Sequence, residues 1–240
     1  RILVDAGVSA TRVEANLREI GVDIRNIDAI LVTHEHVDHI RGLGVLCRRY
    51  GLPVYANEGT WDGILQKESG IPQRCVRTFV TGENVDISPF HIPHDANDPV
   101  GFSLNAQGLK CGVATDIGHI TDEWMDAVSG CQALVLEANH DVEMVQRGPY
   151  PLKLKRRILS RNGHLNNEDC AHALCELAAR GTKAVFLSHL STDNNLPELA
   201  YNTVCGALSA AGFDVGGDIR VCVSRRDKVS DMLVLRTDEA

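Results

Sequence analysis

Short aliphatic and β-branched runs recur along the chain, each closed by Gly, Pro, Asn or Asp, and between them apolar residues return every three or four positions. The runs read as buried strands and the spaced segments as helices that cover them. Ile2-Leu3-Val4 closes at Asp5-Ala6-Gly7, and Ser9 then stands as N-cap of a helix whose Val13, Leu17 and Ile20 share a face before Gly21 stops it. Ala29-Ile30-Leu31-Val32 is the next strand, followed by a helix over 40–50, a strand over 53–56 and a helix capped by Asn57 through Trp61 and Leu65.

From 76 to 114 short apolar segments alternate with turn residues, namely Gly82-Glu83-Asn84, Pro89, Pro93, Asp98-Pro99 and Gln107-Gly108, and are expected as antiparallel strands of a second half-sheet. Thr121 with Asp122 and Glu123 opens another helix, 133–136 is a buried strand, and a helix capped by Asn166 or Asn167 ends at Gly181. The strand 184–188 ends at His189, and Pro197 suits the first turn of a helix over 198–211. Segments 219–223 and 232–235 are expected as final strands, with 237–240 a frayed tail.

Length and composition agree with an enzyme-sized globule: 240 residues, 44% hydrophobic and 23% charged, can bury a core as one domain. No run of about 18 uninterrupted apolar residues is present, so no membrane span is expected. The eight cysteines fall mostly inside apolar runs with no C-x-x-C pair. They read as small buried hydrophobes of a cytoplasmic protein in a reducing compartment rather than as a zinc site. A formal charge of −8 argues against a wholesale nucleic-acid coat. Arg147, Lys153, Lys155, Arg156, Arg157 and Arg161 are nevertheless packed into fifteen residues, a density suited to backbone phosphates.

The chemistry concentrates in Thr33-His34-Glu35-His36-Val37-Asp38-His39, directly after the second strand. His34 and His36 are two apart, so in extended backbone both leave on one side and can hold one metal ion. Asp38 and His39 fall where the chain turns into a helix, which redirects them toward a neighbouring ion about 3.5–4 Å away. Asp5, on the loop after the first strand, is placed to orient a metal-binding His rather than to bind metal itself.

This segment resembles the signature of the metallo-β-lactamase fold superfamily. The similarity extends through Val54-Tyr55-Ala56-Asn57, Glu137-Ala138-Asn139-His140-Asp141, the basic stretch 155–160 and His189-Leu190-Ser191-Thr192-Asp193-Asn194-Asn195, a combination similar to the bacterial YycJ/WalJ subgroup. The resemblance implies an α/β (α+β) fold, a four-layer αββα sandwich with two mixed sheets flanked by helices. The superfamily places two strands ahead of the point where this chain opens, so the expectation is a single domain over 1–240 short of its natural N-terminal strands.

By the same resemblance His94, in Ile92-Pro93-His94-Asp95-Ala96, joins His34 and His36 at one metal. Asp116 bridges both metals, and His189 completes the second with Asp38 and His39. Many true β-lactamases carry a Cys at the bridging position, so Asp116 disfavours antibiotic degradation. Glu137 and His164 are similar to a pair in tRNase Z, where a Glu orients a His that protonates the leaving group; here Leu165-Asn166 stands in place of the Ser-Thr of that motif. Asp38, Glu137 and His164 are therefore the expected catalytic groups, with His140 alongside Asp5 in support and Lys153, Lys155, Arg156, Arg157 and Arg161 as substrate contacts.

The implied function is a binuclear metal-dependent phosphodiesterase acting on nucleic acid, DNA before RNA, most simply a 5′-to-3′ exonuclease using a metal-bridging hydroxide. Zinc suits the His-rich ligands, and the two carboxylates also admit manganese or iron. Asp116 and His189 are 73 positions apart, which leaves no room for the domain that β-CASP nucleases insert there. A small-molecule ester or thioester hydrolase and a metal-stabilised scaffold without activity are the alternatives; the first would not depend on the 147–161 basic stretch. Oligomeric state is open.

Overall fold

In the computed structural model, which describes residues 1–68, 70–82 and 86–235, the chain forms two compact units. The first comprises Arg1–Glu83 with Ala96–Val100 and the second Asn84–Asp95 with Gly101–Ala240.

In the first unit the strands β1 (Ile2–Val4), β2 (Ala29–Leu31), β3 (Val54–Ala56) and β4 (Val76–Thr78) lie side by side in that order, parallel in every described pair. Parallel neighbours need crossovers, and helices α1 (Ala10–Glu19), α2 (Val37–Ile40), α3 (Leu43–Tyr50) and α4 (Glu58–Lys67) provide them. Their apolar faces and the sheet enclose Ile30, Val32, Leu43, Leu46, Val54 and Ile64, all essentially inaccessible to water. Ser9 caps α1 by accepting from the Arg12 N–H, and Asn57 caps α4 by accepting from the Thr60 N–H.

Two local expectations change here. The helix expected over 40–50 is broken at Arg41-Gly42, because the Gly42 N–H donates to Ala6 O at 2.8 Å and ties the break to the loop after β1. The run at 76 belongs to the first sheet, not the second, since Val54 pairs with Val76 in parallel register. A three-residue run carries no periodicity that reports its sheet; the ten-residue crossover α4 decides it.

The second unit holds a six-stranded sheet in the order β10-β9-β8-β7-β6-β5. Its strands are β5 (Ile87–His91), β6 (Val100–Ala106), β7 (Leu109–Ala114), β8 (Ala133–Glu137), β9 (Ala184–Ser188) and β10 (Arg220–Val223). Strands β7 to β10 are parallel, and β6 pairs antiparallel with β7 through Gln107-Gly108, both at positive φ as a tight hairpin requires. Helices α5 (Asp122–Val128), α6 (Val142–Arg147), α7 (Leu152–Ile158), α8 (Asn167–Ala179) and α9 (Pro197–Ala210) complete it. Trp124, Leu134, Leu136, Leu174 and Val204 are at its core.

Asn166, not Asn167, caps α8, and Pro197 opens α9 as expected. The run 232–235 forms no strand: Met232 is 73% and Val234 61% exposed. Four apolar residues do not hold an extended conformation without a ladder to join. The turn read at Gly82-Glu83-Asn84 lies largely, and the tail 237–240 wholly, outside the described residues.

Two sheets with flanking helices agree with the α/β class expected. No helix among the described residues is long and apolar enough to cross a membrane. All eight cysteines are free thiols, and burial pushes Cys47 up to about 12 and Cys131 to about 11, so neither offers a ready thiolate.

Candidate metal centre

Each unit carries its polar groups at the carboxyl ends of parallel strands, where ladder hydrogen bonding stops and side chains can converge. In the first unit β2 ends at Leu31, and Val32-Thr33 leads into His34 and His36 before α2 begins. The His34 ring centroid lies 4.5 Å from that of His36 and 4.1 Å from that of His39, so the three imidazoles of the signature form one cluster. The Asp38 side chain is two-thirds exposed, 4.0 Å from His39 Nε2.

Asp5 holds this cluster from behind. Its Oδ1 accepts from the Thr33 N–H at 2.8 Å, and its Oδ2 accepts from the Thr33 hydroxyl at 2.8 Å and from His39 Nδ1 at 2.8 Å. Because the hydroxyl proton goes to Asp5, Thr33 Oγ1 is left to accept from His34 Nδ1, 3.1 Å away. One carboxylate therefore fixes two imidazoles in the Nδ1–H tautomer, directly for His39 and through Thr33 for His34, and turns both Nε2 lone pairs forward. Asp5 was expected to orient a metal-binding His, and its carboxylate is hydrogen-bonded to His39 and, through Thr33, to His34. Thr33 was not among the expected site residues, although its place immediately before H-x-H was the available signal. Gly7 makes the approach possible, since a Cβ there would stand 1.5 Å from Asp38 O.

In the second unit the turns after β5, β7 and β9 deliver His94, Asp116 and His189, the last residue of β8 is Glu137, and the loop before α8 delivers His164. Asp116 Oδ1 is 3.6 Å from His94 Nε2, 3.6 Å from His189 Nε2 and 3.7 Å from His164 Nδ1. Two ligands on one tetrahedral ion with bonds of about 2.1 Å stand about 3.4 Å apart. The spacing of the carboxylate oxygen from both Nε2 atoms is thus that of co-ligands. His94 Nδ1 donates to Gly163 O at 3.0 Å, which directs its Nε2 toward Asp116.

Glu137 is fully buried and saturated. Its Oε1 accepts from His164 Nδ1 at 2.9 Å and His189 Nδ1 at 2.7 Å, and its Oε2 accepts from the N–H groups of Ile117 at 2.6 Å and Leu165 at 3.1 Å. Burial opposes its ionisation, but the charges and hydrogen bonds of His164 and His189 hold its carboxyl well below the usual carboxylate range. Glu137 was expected to orient His164; its Oε1 accepts from His189 as well. Burial pulls the His164 imidazole down, and the Glu137 charge and hydrogen bond outweigh it, leaving a pKa above the ordinary value.

Asp5, Asp116 and His189 all have φ near +60° (61°, 60° and 58°). Left-handed backbone at non-glycine residues is strained, and strain of this kind persists where surrounding bonds fix it. Here it turns the chain sharply at each strand end so that the side chain faces the cluster.

His140 lies behind this group, with Nδ1 3.3 Å from Asn139 Oδ1. Asn139 Nδ2 donates to His189 O at 2.8 Å, a support that the sequence reading did not single out. Burial lowers the His140 pKa to about 4. The unfolded chain, with an imidazole near 6.5, then binds the proton first as pH falls. The contribution to stability is complete above about pH 6.5 and is lost progressively toward pH 4, on the order of 3 kcal/mol in all. Urea unfolding of chelator-treated protein between pH 4 and 8 should show the wild type losing stability on acidification by about that amount more than His140→Gln. Equal slopes would contradict it.

The basic stretch is partly committed to the protein. Arg157 grips Asp95 through two bonds, Nε to Oδ2 at 2.5 Å and Nη2 to Oδ1 at 2.7 Å. Lys155 Nζ donates to Gln146 O at 2.7 Å, Arg147 pairs with Glu143, and Arg161 Nη2 donates to His119 Nε2 at 2.7 Å. Lys153 and Arg156 are exposed.

The donor set suits divalent ions. His94 and His189 present Nε2 with Nδ1 tied to oxygen, and a carboxylate stands between them; Asp116, Glu137, His164 and His189 all bring ligand atoms within 4.8 Å of one another. Since Glu137 is filled by four donors, Asp116 and His189 are the ligand candidates of that group.

Comparison with known proteins agrees with this chemistry. A family model described as a β-lactamase superfamily domain matches residues 1–190. The chain is 42% identical over 221 residues to the exodeoxyribonuclease YycJ of Bacillus anthracis, spanning 90% of this chain and 84% of that protein. It is 39% identical over 228 residues to the exodeoxyribonuclease WalJ of Streptococcus pneumoniae, spanning 92% and 85%. Among solved structures, Zn²⁺-bound PqqB of Methylobacterium extorquens aligns with a TM-score of 0.65 at 21% identity over 98% of this chain and 83% of that one, a likeness of fold alone.

Proposed function

The chain belongs to the β-lactamase superfamily and is a metal-dependent hydrolase, and from that premise we propose that it is a nuclease that degrades DNA from the 5′ end using two divalent ions. The similarity over nine-tenths of the chain to two exodeoxyribonucleases supports the substrate class. The observation that carries the two-ion reading is the position of Asp116 Oδ1, 3.6 Å from the Nε2 atoms of both His94 and His189. A carboxylate at co-ligand distance from two imidazoles in separate turns is suited to bridging. In this reading His34, His36, Asp38 and His39 are the first unit's ligands, and His94, Asp116 and His189 the second unit's.

When bound, such ions lower the pKa of water to near neutrality and stabilise charge on phosphoryl oxygens. Zinc, manganese and iron all suit this mixture of imidazole and carboxylate. The chain's own groups do the rest. Asp5 and Thr33 keep His39 and His34 in the ligating tautomer, and Glu137 does so for His189. His164, tied to Glu137 through Nδ1, presents Nε2 as the proton donor to the departing 3′ oxygen, and the Glu137 charge and hydrogen bond favour its protonated form. Exposed Lys153 and Arg156 on α7 are available to backbone phosphates.

The test is degradation of single- and double-stranded DNA and RNA, labelled at either end, by protein loaded separately with Mn²⁺ and Zn²⁺. Release of the 5′ label as mononucleotide, ahead of the 3′ label, supports the proposal; release from the 3′ end first, or no cleavage under either loading, overturns it. His164→Ala should lower kcat by about 10²- to 10⁴-fold with metal content intact. Loss of metal in that variant would instead make His164 a ligand.

A further inference from the structure

One carboxylate beside the cluster has no place in the ligand set above. Asp95 Oδ1 is 3.4 Å from His94 Nε2, the nitrogen that the Gly163 carbonyl leaves for metal. That is again the separation of co-ligands on one ion. The same carboxylate is gripped by Arg157 through both oxygens, at 2.5 and 2.7 Å, in the planar two-point geometry that guanidinium groups favour. The pair is neither deep nor fully open: Arg157 is 43% and Asp95 34% exposed.

We propose that Asp95 is a reserve carboxylate for the metal that His94 binds, and that Arg157 is the group that withholds it. The inference rests on the metal-hydrolase reading for the ion but not on the identity of the substrate. It assigns Arg157 to the metal centre, through Asp95, rather than to a DNA phosphate. Two charge effects act in the same direction. Arg157 cancels the negative charge that Asp95 places near the cation, and its fork holds the carboxylate oxygens in a fixed orientation. Freed from the fork, Asp95 would add both charge and a ligand.

The consequences differ for the two partners. Arg157→Gln should tighten metal binding by about 10-fold or more, the scale on which groups around a metal's ligands act, whereas Asp95→Asn, which removes a carboxylate already withheld, should change it by no more than about 3-fold. The double variant should return to within about 3-fold of the wild type, because withholding a ligand has no meaning once the ligand is gone. Arg157→Lys keeps the charge but not the two-point grip, and should fall between wild type and Arg157→Gln.

The experiment is titration of metal-stripped protein with Mn²⁺ and with Zn²⁺ against a competing chelator, for the wild type and these four variants, with thermal unfolding recorded to verify that each is folded. Tightening in Arg157→Gln that disappears in the double variant supports the proposal. Metal affinity unchanged in Arg157→Gln, or changed equally with and without Asp95, overturns it. An Arg157→Gln variant that raises the KM for DNA while leaving metal affinity alone also overturns it and returns Arg157 to phosphate binding. The titration needs no substrate, so failure of the nuclease reading leaves this result standing on its own.

Discussion

Asp116→Asn is expected to lower kcat/KM on DNA by at least about 10³-fold at saturating Mn²⁺, the equivalent of about 4 kcal/mol of transition-state stabilisation. Asn is the informative replacement. Residue 116 sits at φ 60°, a conformation that Asn tolerates better than Ala, so backbone strain stays nearly constant and the lost charge is isolated. The carboxylate oxygen lies 3.6 Å from two Nε2 atoms contributed by different turns. An amide in its place offers one weaker acceptor and cannot neutralise two cations. Metal-to-protein stoichiometry, measured by mass spectrometry alongside the rate, should fall from two toward one or below. Activity within 10-fold of wild type with stoichiometry unchanged would remove Asp116 from the bridging role.

Glu137→Gln should be nearly as damaging through a different physical route. The new amide oxygen can still accept from the Ile117 and Leu165 N–H groups, but its NH₂ then faces the Nδ1–H of His164 and of His189. Donor meets donor, and both rings are driven toward the opposite tautomer, which carries hydrogen on the nitrogen that His189 is proposed to offer a metal. The expected result is a fall in kcat of about 10²- to 10⁴-fold, with metal affinity weakened about 10- to 100-fold. Nitrogen-15 spectra should show the His189 imidazole with Nδ1–H in the wild type and Nε2–H in the variant. Glu137→Ala, which leaves two histidines and two backbone donors without their buried acceptor, should also destabilise the fold by about 3–5 kcal/mol. Unchanged tautomers with full activity would show that Glu137 is structural only.

These two residues also mark the limit of what the chain's linear order reveals. The metal-binding character was legible because H-x-H-x-D-H concentrates ligand types within six positions after an apolar run, and local backbone geometry alone puts His34 and His36 on one side. The caps at Ser9 and Asn57 were legible for the same reason, since each depends on a contact three residues away, and the proline at 197 because its fixed φ suits a first helical turn; between Asn166 and Asn167 the structure chose. The sheet to which 76–78 belongs was not, because a three-residue run acquires its partner from a crossover helix.

By itself, then, the sequence determined the ligand chemistry, the α/β alternation and the positions of the strand ends, all of which follow from short-range pattern. Only the tertiary structure decided which neighbours those groups have. Glu137 and His189 are 52 positions apart and Asp95 and Arg157 are 62 apart. The parallel register of β8 and β9 brings the first pair together, and the packing of α7 on the loop after β5 the second; no local periodicity encodes either. The second bond of Glu137, the relay from Asp5 through Thr33, and the grip of Arg157 on Asp95 therefore became visible only once strands and loops were in place.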